Sequence, residues 1–462
     1  MSDYAAYVQR KLSTVPPTGI DSGFSVPASL FPHQSALTAW ALRRGRAAIF
    51  ADTGLGKSRM QLAWADAVHR HTKRPVLILA PLAVAAQTAV EAGALGMGIA
   101  HCRDQSDAGS GINVTNYDRL HRFDPDAFGG VVLDESSCIK HHDAKTLRTL
   151  LDAFQSTPFK LCATATPAPN DWTELGTHAE FLGICTRQEM LAEFFTHDGG
   201  DTSVWRLKGH ARHLFWQWVS SWGAMVRKPS DLGFDDSAYA LPPMHLHEHT
   251  VKTEMPLNGM LFAAEAQTLS ERRDARRLSI EDRVKDCAAI VNADAAESWV
   301  VWCDLNAEGD ALTKVIDGAV QIAGADSADE KERRLAAFAA GEFRVLVSKP
   351  SICGFGLNWQ HAARMAFVGV TDSFESYYQA VRRCWRFGQK RDVHVHVFAS
   401  SAEGAVVANL RRKERDAQAM AESLSAETRD AVMAEVTGLT RQTNTYNAEQ
   451  RVAVPAFLKD AA

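Results

Sequence analysis

No two of the eight cysteines in this 462-residue chain form a CxxC pair; Cys102, Cys138, Cys162, Cys185, Cys287, Cys303, Cys353 and Cys384 each stand alone. That spacing excludes a zinc ribbon or a disulfide framework and predicts reduced, buried thiols in a cytoplasmic protein. No apolar run is long enough to cross a bilayer, and the first residues, MSDYAAYVQRKL, lack the apolar core of a secretory leader. Charge of one sign is also scarce: 50 Lys+Arg against 55 Asp+Glu leave a net charge of -5. A chain that coated nucleic acid by bulk charge would be basic, so any such contact must come from a local groove. Short-period repeats are absent as well.

What the chain has is a rhythm. Short apolar runs at Ala47–Ala51, Val76–Ala80, Ile112–Thr115, Val131–Asp134 and Lys160–Ala163 alternate with helical stretches such as Ser58–Arg70 and Ala144–Phe154. Unbroken runs of this length suit parallel strands covered on both faces, and the alternation predicts a doubly wound α/β sheet. After Asn170 the rhythm fades into an aromatic stretch with Trp205, Phe215, Trp216, Trp218 and Trp222. Leu241-Pro242-Pro243 marks a break, and the rhythm resumes at Trp299–Cys303, Val345–Ser348, Ala366–Val370 and Val393–Phe398. The length also asks for more than one core. The expected organisation is an arm over 1–27, an α/β unit over 28–170, an aromatic-rich helical insert or linker over 171–240 that completes the first unit, a second α/β unit over 241–415, and a charged helical tail over 416–462.

Ala51-Asp52-Thr53-Gly54-Leu55-Gly56-Lys57-Ser58 follows a predicted strand and opens a predicted helix. In that context the glycines let backbone amides curl around phosphate oxygens, Lys57 reaches the terminal phosphates, and the Ser58 hydroxyl suits Mg2+. About 80 residues later, Val131-Val132-Leu133-Asp134-Glu135 ends a strand in two carboxylates. Asp134 is suited to hold Mg2+ and Glu135 to polarise an attacking water. Gln34, just upstream, reads either as a surface turn or as an amide for an adenine edge. In the second half, Gln379-Ala380-Val381-Arg382-Arg383-Cys384-Trp385-Arg386-Phe387-Gly388-Gln389 places Arg383 and Arg386 three apart, on one face of a predicted helix. Nothing near them in sequence neutralises them, so they read as arginine fingers for a γ-phosphate presented by the first unit. Gly354 and Gly356, in a loop ending at Asn358, allow close backbone approach to a phosphate of ATP or of a nucleic-acid strand.

Taken in order, these motifs resemble a superfamily-two helicase or translocase of the Swi/Snf-type branch, compact in the manner of phage- or prophage-encoded members. The resemblance covers about residues 28 to 415: the glutamine at Gln34, the P-loop, APLAVAAQ at Ala80–Gln87, VTNYDRL at Val114–Leu120, DESSCIK at Asp134–Lys140, ATATPAPN at Ala163–Asn170, WVVWCDL at Trp299–Leu305, GFGLNW at Gly354–Trp359, and QAVRRCWRFGQ. Asp-Glu-Ser-Ser departs from that branch's usual Asp-Glu-Ala-His, and His141 does not restore the missing side chain. The resemblance implies two RecA-like domains and an ATP hydrolase that couples turnover to translocation on, or remodelling of, DNA. The alternatives are a strand-separating helicase and an ATP-controlled clamp. It implies ATP and Mg2+ as cofactors and favours duplex DNA over RNA as the partner. ATP contacts would fall to Gln34, Thr53, Gly54, Leu55, Gly56, Lys57, Ser58, Gly356 and Gln379. Thr164 and Thr166 would couple the ATP state to nucleic acid, and Pro81, Thr115, Asn116, Gly354 and Asn358 would lie near the bound strand. With no appended nuclease or zinc module evident, the biological task would rest with a partner protein or with the insert.

Three further features read more simply. His245, His247 and His249 share a strand face, as do His394 and His396. A metal site is one reading, and a polar strand face is the preferred one. The run Arg272-Arg273-Asp274-Ala275-Arg276-Arg277 suits a phosphate grip or a solvated helix face. Phe215, Trp218 and Trp222 fall in one helical stripe, which favours core packing over base stacking.

Overall fold

The protein is described from a computed structural model. It describes residues 15–139, 145–168, 171–198, 201–251, 274, 276–353, 358–369 and 374–401, with scattered positions between 408 and 437. The elements run α1 (Pro32–Arg44), β1 (Arg46–Ala51), α2 (Lys57–Thr72), β2 (Val76–Ala80), α3 (Leu82–Ala94), β3 (Ile99–His101), β4 (Ile112–Asn116), β5 (Gly130–Asp134), α4 (Lys145–Ala153) and β6 (Phe159–Ala163). Then come α5 (Leu175–Leu182), α6 (Arg187–Phe194), β7 (Phe195–Asp198), β8 (Asp201–Leu207), α7 (Arg212–Ser220) and β9 (Gly223–Val226). The second half holds β10 (Met244–Val251), α8 (Ile280–Ala293), β11 (Trp299–Trp302), α9 (Asn306–Val315), β12 (Ala319–Ile322), α10 (Ala328–Ala339), β13 (Val345–Ser348), α11 (Pro350–Cys353), β14 (Arg364–Phe367), α12 (Phe374–Val381) and β15 (Val393–Ser400).

Two parallel sheets result, one with seven strands in the order β3-β4-β2-β5-β6-β1-β9 and one with six in the order β10-β15-β14-β11-β13-β12. Period-two side-chain geometry explains why the strands read as unbroken apolar runs. Along β1, Ala47, Ile49 and Ala51 join one core, while Ala48 and Phe50 join the core on the opposite face. In the second sheet, Val300 and Trp302 of β11 face one helical layer, and Trp299 and Val301 face the other. Each sheet is thus a layer between helices, and the chain forms two RecA-like α/β domains.

The aromatic segment is more than a helical insert. It contributes an antiparallel β7–β8 hairpin, and β9 joins the first sheet beside β1, with Ala48 opposite Gly223 and Ala51 opposite Val226. Phe215, Trp216 and Trp222 are buried in the core on one face of that sheet, and Trp218 packs on them half-exposed. The stripe is a packing surface, and its rings meet largely edge to face. The short strand GAMV lacks the length and β-branching that would have marked it in sequence. The tail also departs from a solvated helix. Residues 428–430 and 432–437 are helical. Val432 and Val436 enter the core of the first domain, where Glu435 pairs with Arg44. All eight cysteines are free, and six are buried; Cys185 is half-buried and Cys138 is exposed, in the turn after Glu135, against the expectation that all eight are covered.

Candidate active site between the two sheets

Every anion-handling motif of the first domain lies at the carboxyl end of a strand, where a parallel sheet opens its crevice. The P-loop leaves β1, Asp134 ends β5, and Thr164 follows β6, which lies between those two strands in the sheet. That order puts Thr164 between phosphate loop and acid pair. Its amide donates to the Ile49 carbonyl at 3.3 Å and its hydroxyl to Glu135 Oε2 at 3.5 Å. Thr166 bonds back to the Thr164 hydroxyl through its own amide at 3.2 Å.

Gly54 and Gly56 adopt φ of 93° and 83°, a left-handed backbone that glycine takes without steric cost. Gly56 is also crowded: a Cβ there would fall 2.2 Å from Gln34 Nε2. The Lys57 ammonium donates to the Ala51 carbonyl at 2.9 Å. Burial lowers its pKa, against the pull of Glu135, Asp52 and Asp134. The Asp134 carboxylate accepts from Gln61 Nε2 at 2.6 Å. Burial, and then the neighbouring Glu135, push Asp134 up to about 7. Glu135 itself has φ 50°, a conformation uncommon outside glycine, which turns its carboxylate out of the strand direction. Behind this pair Ser136 Oγ meets the Nε2 of a fully buried His178 from α5 at 3.1 Å. Burial holds that imidazole down to about 4, so it is neutral at pH 7. The departure Asp-Glu-Ser-Ser is therefore packed against a histidine that sequence reading did not connect to it.

The second domain closes over this edge. A cleft of about 460 Å³ is lined from the first domain by residues that include Thr53, Gly54, Gly56, Lys57, Ser58, Asp134 and Glu135, and from the second by Asn358, Gln360, Arg383, Arg386 and Phe387. Arg383 and Arg386 do not share a helix face, because α12 ends at Val381 and both sit on successive turns after it. The turns are fastened by Gln389. Its Nε2 donates to the carbonyls of Gln360, Ala362 and Cys384 at 3.0, 3.1 and 3.2 Å, and its Oε1 accepts from the amides of Lys390 and Arg391. Burial lowers Arg383 to about 10, with Glu135 pulling the other way. Arg386 is lowered by burial too, opposed first by Glu91 of α3.

Several expected residues are placed differently. Gln379 does not line the cleft; its Oε1 accepts from Arg383 Nη2 at 2.9 Å, so it orients an arginine. Leu55 is buried, and its carbonyl accepts from Gln34 Nε2 at 3.0 Å. Gln34 does line the cleft, with its Oε1 taking the Phe31 amide at 3.1 Å. Thr115 is fully buried and donates to the Cys102 carbonyl at 2.8 Å, while Asn116 caps the next turn by accepting from the Arg119 amide. Both side chains are buried, whereas Pro81 is half-buried and Asn358 exposed. Gly354 and Gly356 lie outside the described residues, as do Lys140, His141, Asn170, Arg272, Arg273 and Ala275. Phe31, Arg59, Val84, Glu91, Tyr239 and Phe387 line the cleft without having been singled out. Val84 and Glu91 share α3 and Phe387 follows Arg386, but the six come from distant parts of the chain and meet only in the fold.

Away from the cleft, the histidines form a ladder. β10 and β15 run parallel in register, and His247 meets His394 at 2.9 Å while His249 meets His396 at 3.0 Å. Among the described residues no group of three or more His, Cys, Asp or Glu could hold a metal ion.

Residues 284–388 match the helicase conserved C-terminal domain. The matched segment runs from within α8 to the glycine after Phe387, and so carries Arg383 and Arg386. The match supports a helicase-superfamily member and, in general terms, a nucleic-acid-dependent ATPase. The chain matches no curated protein. Among the described residues no helix is long and apolar enough to cross a membrane.

Proposed function

We propose that this chain, whose second sheet carries a helicase C-terminal domain, is a DNA-dependent ATPase that moves along duplex DNA. The observation that carries the reading is the meeting of Lys57, Asp134 and Glu135 with Arg383 and Arg386 around one cleft between two parallel sheets. A cleft with cations on both walls and two buried acids at its floor suits a polyphosphate with a hard cation. The residues fit Mg2+. Ser58 and Asp134 are oxygen donors on the same cleft, and burial, then the neighbouring Glu135, drive Asp134 up to about 7, a cost that a bound divalent ion would relieve. When bound, Mg2+ supplies charge neutralisation at the phosphates.

In this reading the backbone of Thr53 to Ser58 holds the phosphates, with Lys57 on the terminal ones. Glu135 orients and polarises the attacking water, and Arg383 and Arg386 stabilise charge on the transferring γ-phosphate. Thr164 is bonded to Glu135 on one side and to β1 on the other, so it reports the state of the acid to the strand ends that face nucleic acid. Domain closure and opening then move two backbone-gripping surfaces past each other. We divide the chain as an arm (1–27), a first motor domain (28–170) completed by the aromatic segment (171–240), a second motor domain (241–415) and a tail (416–462). Duplex DNA is favoured over RNA by the Swi/Snf-like signatures Ile139-Lys140, Pro167 with Asn170, and Gly388-Gln389. Contacts of Pro81 and Asn358 to backbone phosphates would carry no sequence preference.

Two assays test the reading. A third strand bound to duplex DNA should be displaced in the presence of ATP, and a forked duplex should remain largely annealed. ATP hydrolysis should rise with duplex DNA whatever its sequence and fall with salt. Efficient fork unwinding, or stimulation by RNA alone, would make the protein a conventional helicase. Hydrolysis with activity in neither assay would make it a clamp.

A further inference from the structure

The third arginine of the cluster turns away from the cleft. Arg382 Nη2 donates to Asp52 Oδ2 at 2.8 Å and approaches the Thr53 carbonyl at 3.4 Å. The Tyr378 hydroxyl donates to Asp52 Oδ1 at 2.9 Å, and the same oxygen accepts the Thr53 amide at 2.6 Å. Asp52 is the second residue of the phosphate loop; Tyr378 and Arg382 are one helical turn apart in the second domain. The contact is well covered, with the Arg382 side chain 7% and that of Asp52 28% exposed. The guanidinium lies 5.5 Å from the Tyr378 ring and 5.3 Å from the Trp385 ring, and Trp385 is itself bonded to the Pro242 carbonyl at 2.8 Å. Burial opposes the charge on Asp52, but Arg382, the Thr53 amide and the Tyr378 hydroxyl together hold its carboxyl below the usual range. On the other side of Arg383 and Arg386, Phe387 presses on the same loop, where a Cβ at Gly54 would fall 2.9 Å from Phe387 Cβ.

The second domain thus grips the phosphate loop at both ends of the arginine segment, and neither Asp52 nor Arg382 lines the cleft. Cross-domain bonds that leave the phosphate cradle open can fix geometry without competing with a ligand. We propose that Tyr378 and Arg382 are positioning residues that latch Asp52 across the domain boundary and so hold Arg383 and Arg386 in register with the phosphate loop. Arg382 is the backbone neighbour of Arg383, so a latched guanidinium limits how far the next side chain can drift. Preorganisation of this kind acts on the chemical step, because misplacing a charge costs transition-state stabilisation more than ground-state binding. The effect on turnover rests on the ATPase reading; the latch itself does not.

The test is a cycle of Arg382→Gln, Asp52→Asn and the double variant in the full chain. Readouts are DNA-stimulated kcat and KM, binding of a fluorescent ATP analogue, and solution scattering without nucleotide. Each single variant should lower kcat by about tenfold or more, within the range that coupled residues reach. Analogue binding should change by less than about threefold, and the double variant should be no worse than the poorer single one. Arg382→Lys should recover part of kcat, since it keeps the charge without the planar fork. The radius of gyration of the nucleotide-free protein should rise in Arg382→Gln. Multiplying losses, an unchanged kcat, or loss of analogue binding with kcat intact would overturn the proposal. If the wild type hydrolyses no ATP, the ATPase reading fails, and scattering alone decides the latch: expansion in Arg382→Gln supports it and an unchanged radius overturns it. Should Arg382→Gln not fold, Tyr378→Phe, which removes one hydroxyl, is measured in its place with the same expected directions.

Discussion

The two sheets share one architecture and carry opposite chemistry at their carboxyl edges. The first presents a phosphate loop and two adjacent acids; the second presents arginines. Each half strains its own charges. Asp134 is driven up to about 7 by burial and by Glu135 beside it, while Arg383 is brought down to about 10 by burial. Across the cleft Glu135 pulls back on Arg383, while Asp134 is eased from within its own half by Gln61 and Lys57. The supports differ as well. The acids are fixed by strand ends and a left-handed Glu135, whereas the arginines hang on turns that Gln389 fastens. One half is thus held by its strand ends and the other by side-chain bonds across turns.

The largest effects should come from the first half. Lys57→Ala should leave no measurable ATP turnover because phosphate binding fails. Glu135→Gln should stop turnover while a labelled ATP analogue remains bound. Hydrolysis at the wild-type rate in Glu135→Gln would remove the water-activating role and with it the contrast between the two edges.

A step down, Arg386→Ala breaks the second half. Arginine fingers contribute about 10³–10⁵ in rate, or roughly 4–7 kcal/mol of barrier. DNA-stimulated hydrolysis should therefore collapse while ATP binding persists. A rate within about twofold of wild type would mean that the second edge is merely a covered basic surface.

The smallest effect concerns the packing behind the acids. His178 is fully buried and neutral, held down to about 4 from an ordinary 6.5. The unfolded chain therefore binds a proton first as pH falls. Stability from this group is complete above about pH 6.5 and drains away toward pH 4, by about 3 kcal/mol in all. A urea titration of wild type and His178→Gln between pH 7 and pH 4 should show a steeper fall for the wild type. Equal slopes would put the acid sensitivity elsewhere, for instance at His396, which burial and neighbouring histidines also hold to about 4.

Much of this was legible in the chain itself. Short apolar runs next to helical stretches dictate buried parallel strands, and a glycine pair between strand and helix dictates a tight left-handed loop, because these follow from local geometry. The eight-residue spacing of Ala51 to Ser58 and the strand-terminal Asp134-Glu135 pair are local in the same sense. Sequence failed where partners come from afar. β9 is only four residues long and counts as a strand because β1 offers it a free edge. The resemblance made Gln379 an ATP contact; what it touches in the fold is Arg383, one turn along the chain. The resemblance put Thr115 and Asn116 near a bound strand; in the fold each has a bond inside its own domain.

By itself, then, the sequence determined that there are two α/β units, where the glycine loop and acid pair lie, and that a cluster of arginines follows in the second half. Each is written within a dozen residues, on the scale at which backbone sterics and side-chain periodicity act. Only the tertiary structure decided that Asp52 pairs with Arg382, that His178 backs Ser136, that Glu91 faces Arg386, and that the tail returns to the first domain. Those pairings join residues 42 to 391 positions apart, apart from the tail's further apolar contacts. Long-range pairing is chosen by the folding of whole sheets, because a charge or ring finds its partner only after burial has removed water as the alternative.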